Sequence, residues 1–169
     1  FTKHEFISAS MKYPNDEFII IDPENEYRSL GTSTNGKKAP FDAEIIKLSP
    51  NTNTYVNIFD TDINYCEEGA TAVQMKTDFI MTFCEVTKGS SLTAKERSVI
   101  DRCVKLAYQD YVLSNGDKQH IPNLNQFYKL LTEQTEKEAK DIALSLELFV
   151  KGSFDIFAHP TNIKWNKKR

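Results

Sequence analysis

The sequence predicts an α/β fold in which a small sheet carries a separate helical section. Three observations carry that prediction. Phe18-Ile-Ile-Ile21 is a run of large apolar residues that ends on Asp22, Pro23 and Glu24. Such a run fits a strand buried on both faces, as in a parallel sheet under helices. A helical pattern precedes it, with Phe1, Phe6, Ile7 and Met11 on one stripe of residues 1–12. From Gly69 the apolar spacing changes from about two residues to about 3.6, the helical period, and holds it to residue 151. With a helix ahead of the strand and no earlier strand, the chain reads as a piece of a larger α/β domain.

Each element has a local reason. Pro14 disfavours a helical Tyr13, so the first helix ends at Tyr13-Pro-Asn-Asp16. The strand follows at 17–22, then a short helical turn over Glu24–Leu30. Residues 31–40 are rich in Gly, Ser, Thr and Asn and form a loop. A second strand pattern covers Ala43–Leu48 and a weaker third covers Tyr55–Phe59. In the helical section, Ala72, Met75, Phe79, Phe83 and Val86 form one stripe, widened by Val73, Ile80 and Cys84, and Gly89-Ser-Ser91 ends it. Thr93-Ala-Lys-Glu96 is a capping box, in which threonine and glutamate satisfy each other's backbone amides. It opens a helix through Val112 that stops at Ser114-Asn-Gly116. A short helix starts near Asn123 with Leu124, Phe127, Leu130 and Leu131 inside. Thr135-Glu-Lys-Glu138 is a second capping box, opening a helix with Ala139, Ile142, Ala143, Leu146 and Phe149 inside and Gly152 at its end. Phe154–Ala158 returns to strand-like alternation. The expected parts are therefore 1–68, a partial α/β core; 69–151, a subdomain of four helices; and 152–169, a return strand and basic tail.

A chain of 169 residues suits one domain, or an α/β piece with a helical subdomain. Its net charge of -3 argues against a generally basic nucleic-acid binder. Contact with DNA would rest on one basic cluster, Lys164-Trp-Asn-Lys-Lys-Arg169, whose plainer reading is a solvated tail. No apolar run approaches the roughly 20 residues of a membrane helix. Cys66, Cys84 and Cys103 are odd in number and far apart, and the last two lie in apolar helical patterns. They read as buried thiols in a reducing compartment. His4, His120 and His159 are scattered, and none stands at metal-ligand spacing from a cysteine, so no metal site is expected.

Asp22 and Glu24 are the candidate site residues. Ligands of open α/β folds bind at the carboxyl ends of the strands, where these carboxylates would stand near a nucleotide's magnesium or its attacking water. Their structural reading is capping of the turn at Pro23 and of the helix near Glu26. Gly31-Thr-Ser-Thr-Asn-Gly-Lys-Lys38 approaches the phosphate-binding pattern G-x-x-x-x-G-K-[ST] but ends on lysine, so it offers no hydroxyl for magnesium. No buried strand precedes it, and Pro40 follows, so a solvated loop is the better reading. Phe79, Phe83, Phe127 and Phe149 sit at helical core spacings rather than as base-stacking platforms.

Several blocks together resemble a known family. They are Phe18-Ile-Ile-Ile-Asp-Pro-Glu-Asn-Glu-Tyr27, Ile45-Ile-Lys-Leu-Ser-Pro50, Val56-Asn-Ile-Phe-Asp60, Leu92-Thr-Ala-Lys-Glu-Arg-Ser-Val-Ile-Asp-Arg102 and Phe157-Ala-His-Pro-Thr-Asn162. In this order and spacing they resemble the conjugal transfer ATPases of type IV secretion systems, the TraC/TraE-like members of the HerA/FtsK superfamily of P-loop NTPases. The version in conjugative elements of Gram-positive bacteria is the most similar. The resemblance implies a partial RecA-like P-loop NTPase core with an inserted all-helical subdomain, lying between the Walker A and Walker B motifs and containing neither. It places Asp22 and Glu24 at the family's Asp-Pro-Glu strand end beside the nucleotide. It implies ATP and Mg2+ for the parent protein and no cofactor for this chain, which lacks a complete nucleotide site and is expected to be inactive alone. It further implies hexameric self-association, other type IV secretion components as partners, and a cytoplasmic place peripheral to the inner face of the cell membrane. The competing reading is a stand-alone helical module that binds proteins of a secretion or regulatory complex and no nucleotide.

Overall fold

The computed structural model describes residues 2–32, 38–41, 43–50, 52–67 and 69–163. Most of the Gly31–Lys38 loop and all of the Lys164–Arg169 cluster lie outside them. The chain divides into two compact units, Phe1–Ile46 and Lys47–Arg169. The boundary therefore falls earlier than the composition change at Gly69. Among the described residues no helix is long and apolar enough to cross a membrane.

The first unit holds α1 (Thr2–Lys12) and the short α2 (Arg28–Gly31). Phe6 of α1 is its centre, meeting the rings of Phe18, Phe41 and Tyr27 edge-on at 5.4, 5.1 and 6.3 Å. The α/β, RecA-like core expected from the sequence is not there. The sheet among the described residues is one antiparallel hairpin of β1 (Cys66–Glu67) and β2 (Ala70–Thr71), with Cys66 opposite Thr71 and Glu67 opposite Ala70. The fold is predominantly helical. Phe18–Ile21 forms no strand, and Ile19 and Ile21 are 84% and 91% exposed. Ala43–Leu48 and Tyr55–Phe59 form no strand either. The reason is that an apolar run supplies only propensity, whereas a strand requires a partner's backbone: among the described residues none reaches Phe18–Ile21 or Ala43–Leu48, and Tyr55–Phe59 meets residues 156–162 through isolated bonds rather than a ladder.

Among the described residues the second unit is a bundle of five α-helices: α3 (Ala72–Lys88), α4 (Ala94–Ala107), α5 (Gln109–Leu113), α6 (Leu124–Glu133) and α7 (Lys137–Val150). Three of them open on reciprocal caps. The hydroxyl of Thr71 accepts the Gln74 amide and Gln74 accepts the Thr71 amide at α3, and Asn123 with Gln126 does the same at α6. Thr93 and Glu96 cap α4. Gly89, at φ 74°, closes α3 in the left-handed conformation that glycine adopts without steric cost. The core is lined by Ile80, Ile100, Val104, Leu124, Phe127 and Leu146, each fully buried. Burial pushes the Cys84 thiol up to about 12 and raises that of Cys103, so both are inert, packed thiols.

Three local expectations need correction. The helix opened by Thr93 does not run through Val112; it breaks at Tyr108, where Tyr108 and Tyr111 send their hydroxyls to the carbonyls of Phe59 and Thr61. Thr135 caps nothing: Glu136 is the N-cap of α7, without a side-chain cap, and its carboxylate takes the Arg102 guanidinium at 2.6 Å. Phe154–Ala158 is no strand but holds a 3-10 turn over Asp155–Phe157.

The corner between α3 and α4 is the most heavily bonded cap. The ammonium of Lys88 lies 2.8 Å from both carboxylate oxygens of the buried Glu96, which also accepts the amide and hydroxyl of Thr93 at 2.7 and 2.9 Å. Burial pushes the Glu96 carboxyl up, but the hydrogen bonds from Lys88 and Thr93 more than reverse this, and the net shift is downward. A lowered carboxylate contributes stability that is present above its unfolded value, roughly pH 4.3, and is lost as pH falls through the folded value. Urea unfolding followed between about pH 7 and 3 should therefore show a stability loss below about pH 4.5 that Glu96→Gln flattens, that variant being already weaker at neutral pH. Parallel pH profiles for both proteins would contradict this role.

Candidate functional site

Asp22 sits in a tight turn, followed by Asn25 at φ 55°. One carboxylate oxygen accepts the Glu26 amide and the other the Tyr27 amide, each at 2.9 Å. Tyr27 is the N-cap of α2, so Asp22 organises the entry to that helix. Glu24 is exposed and points to no described partner. The two carboxylates therefore belong to one turn, with both oxygens of Asp22 used by backbone amides. Among the described residues no three His, Cys, Asp or Glu side chains are grouped to hold a metal ion.

The structure instead brings together two segments about a hundred residues apart. The Val56 amide donates to the Ile156 carbonyl at 3.0 Å, and the Asn162 amide to the Tyr55 carbonyl at 3.3 Å. Asn162 returns its side-chain oxygen to the Tyr55 amide at 2.8 Å and donates its amide group to the Asn53 carbonyl at 2.7 Å. The Thr161 hydroxyl accepts the Asn57 amide at 2.8 Å and donates to Asp60. Asn57 itself is buried: its side chain donates to the Pro122 carbonyl at 2.8 Å and accepts the Phe59 amide at 3.1 Å. Beside this clamp, the His159 ring rests on Tyr55 at 4.4 Å and bonds Asp155 at 2.9 Å. Asn125 donates to the Ala158 carbonyl at 2.8 Å, tying the clamp to α6. Burial first, then Asp60 and Tyr111, raise the Tyr108 phenol, which stays a neutral donor to the Phe59 carbonyl. Nearly all polar groups of the clamp bond one another, so its chemistry is that of a fastening.

The surface of the unit that is open and apolar lies elsewhere. A groove of about 820 Å³ runs between the start of α3 and the α4–α5 pair, with Ile63, Val73, Leu106, Val112 and Leu113 on its walls. Leu113 is 76% exposed, and Val112 and Leu106 are about half exposed. The charges on its rim are already matched: Lys105 pairs with Asp101 at 2.7 Å and Arg102 with Glu136 at 2.6 Å. Sequence reasoning places Val112 inside the helical stripe. The break at Tyr108 is what turns the end of α5, Val112 with Leu113, outward.

The comparisons with known proteins give one relative. The chain is 38% identical over 66 residues to "Uncharacterized protein 91" of Sulfolobus islandicus rod-shaped virus 1, a match covering 35% of this chain and 72% of that protein. The chain belongs to the family of that viral protein. The family name carries no activity, and the match spans about a third of the chain. No protein-family model matches the sequence, and no solved structure matches the fold.

Proposed function

We propose that the helical unit is a protein-docking module whose groove takes an amphipathic helix of a partner protein. The observation that carries this reading is the apolar wall of Val73, Leu106, Val112 and Leu113, which lines one solvent-open groove. Side chains spaced along such a groove suit apolar anchors at helical intervals. Because the rim charges are paired within the unit, selection falls on shape and apolar contact more than on net charge. A fluorescent leucine-rich amphipathic model helix should bind the chain with micromolar affinity. Leu106→Asp and Leu113→Asp, both at exposed positions, should each weaken it at least about tenfold while leaving the helical circular dichroism unchanged. Absence of binding, or binding by both variants as tight as by the unaltered chain, overturns the reading.

A second reading is favoured by a separate observation. Val56–Asp60 and Phe157–Asn162, two of the blocks that resemble the conjugal transfer ATPases, are hydrogen-bonded to each other. The bundle therefore receives and releases the chain at one place, as a section inserted in a larger protein requires. On this reading the bundle is an accessory section of a type IV secretion ATPase, whose ATP and Mg2+ are held by other parts of the protein. It would act at the cytoplasmic face of the membrane with other secretion components and further copies of itself. A gene in which the codons ahead of Phe1 end a G-x-x-x-x-G-K-[ST] motif supports it; an initiation codon there removes it.

A further inference from the structure

We propose that residues 17–21 are an unpaired docking strand that takes a β-strand of another protein, one with apolar alternate residues and basic flanks. This reading concerns the first unit and is independent of the groove.

Four observations lead there. Residues 17–21 adopt neither helix nor turn. Exposure alternates along the run: Phe18 and Ile20 are 42% and 40% exposed, Ile19 and Ile21 84% and 91%. That period of two is the signature of an extended chain with two faces. Phe18 turns toward Phe6, which leaves Ile19 and Ile21 as a bare apolar face. Second, the backbone is unmatched. No hydrogen bond reaches the amides or carbonyls of residues 17–21 among the described residues. An extended segment with free donors and acceptors is completed by one kind of ligand, another extended chain.

Third, the segment lacks the features that keep such an edge unpaired. Natural edges are blunted by lysines, prolines or bulges within the strand, and Glu17 to Ile21 contains none of these. Fourth, the charge chooses the partner. Asp16, Glu17, Asp22 and Glu24 flank the run, and no Lys or Arg stands between Tyr13 and Tyr27. Antiparallel pairing of two copies centred on the run sets Glu17 against Asp22, and parallel pairing sets Glu17 against itself. Like charges directly opposite destabilise a strand pair. A second copy is therefore disfavoured, and a strand with Lys or Arg at both ends is matched.

The test uses the full chain and two synthetic peptides, each with a Val-Thr-Val-Thr-Val core, one flanked by lysines and the other by glutamates. Amide hydrogen exchange reads the result. In the free protein the amides of residues 18–21 should exchange at near unprotected rates. The lysine-flanked peptide should slow them by about tenfold or more, and the glutamate-flanked peptide should not. Ile19→Pro, at an exposed position, should abolish the protection while the exchange pattern of the helical unit stays as it was. Glu17→Lys with Glu24→Lys, which leaves Asp16 and Asp22 against two lysines, should abolish the preference between the peptides. No protection by the lysine-flanked peptide overturns the proposal, as does equal protection by both. Protection that appears without peptide and grows with protein concentration identifies a second copy as the occupant and equally overturns it.

Discussion

Replacing Phe127 by alanine is expected to lower the stability of the helical unit by about 3–5 kcal/mol, the range measured for large aromatic truncations in closed cores. Phe127 projects from α6 with no exposed surface and packs its ring 5.6 Å from that of Phe59. Phe59 in turn lies 5.9 Å from the Tyr108 ring and receives the Tyr108 hydroxyl on its carbonyl. A cavity at Phe127 therefore opens where α6, the α4–α5 break and the 57–60 turn converge. Those surroundings are held by hydrogen bonds and cannot collapse freely, which places the cost high in the range. Since a domain of this size is stable by only about 5–15 kcal/mol, much of the folding free energy goes with one ring. Urea unfolding should show a lower midpoint with an unchanged slope. A loss below about 1 kcal/mol would mean that the ring is not central.

Asn57→Ala is the polar counterpart and should cost about 2–4 kcal/mol, because it strands two buried backbone groups at once. The Pro122 carbonyl loses its donor and the Phe59 amide loses its acceptor. Asn57→Asp separates the two contributions: it keeps an acceptor for Phe59 but presents an oxygen to the Pro122 carbonyl. It should therefore be at least as damaging near neutral pH. Thr161→Val removes a partner from an amide on the partly exposed side of the clamp and should cost less, about 1 kcal/mol. Thermal melts of the three variants give the ranking, and an Asn57→Ala protein as stable as Thr161→Val would show that water replaces the lost bonds.

The contrast between these sites and the capping motifs shows what the sequence carries by itself. The α4 cap needs only Thr93 and Glu96 three positions apart, and the same local signature stands at Thr71–Gln74 and Asn123–Gln126. The apolar spacing that makes Ile80, Ile100, Phe127 and Leu146 core is equally local, because a helix presents every third or fourth residue to one side. Those features were determined by residues within one or two turns of each other. The Thr135–Glu138 signature is just as local, yet it forms no box: α7 takes Glu136 as its N-cap, without a side-chain cap, and the Glu138 carboxylate lies 3.6 Å from the Lys95 ammonium. The clamp of Asn57, Thr161 and Asn162 spans more than 100 residues and leaves no pattern in the sequence. Phe18–Ile21 carries the composition of a buried strand, but burial and pairing are properties of whatever lies opposite, and among the described residues Phe6 covers Phe18 while no strand pairs with the run. Local spacing thus settled the helices and their caps. Tertiary structure alone decided which segments fasten the bundle and that Ile19 and Ile21 stand bare.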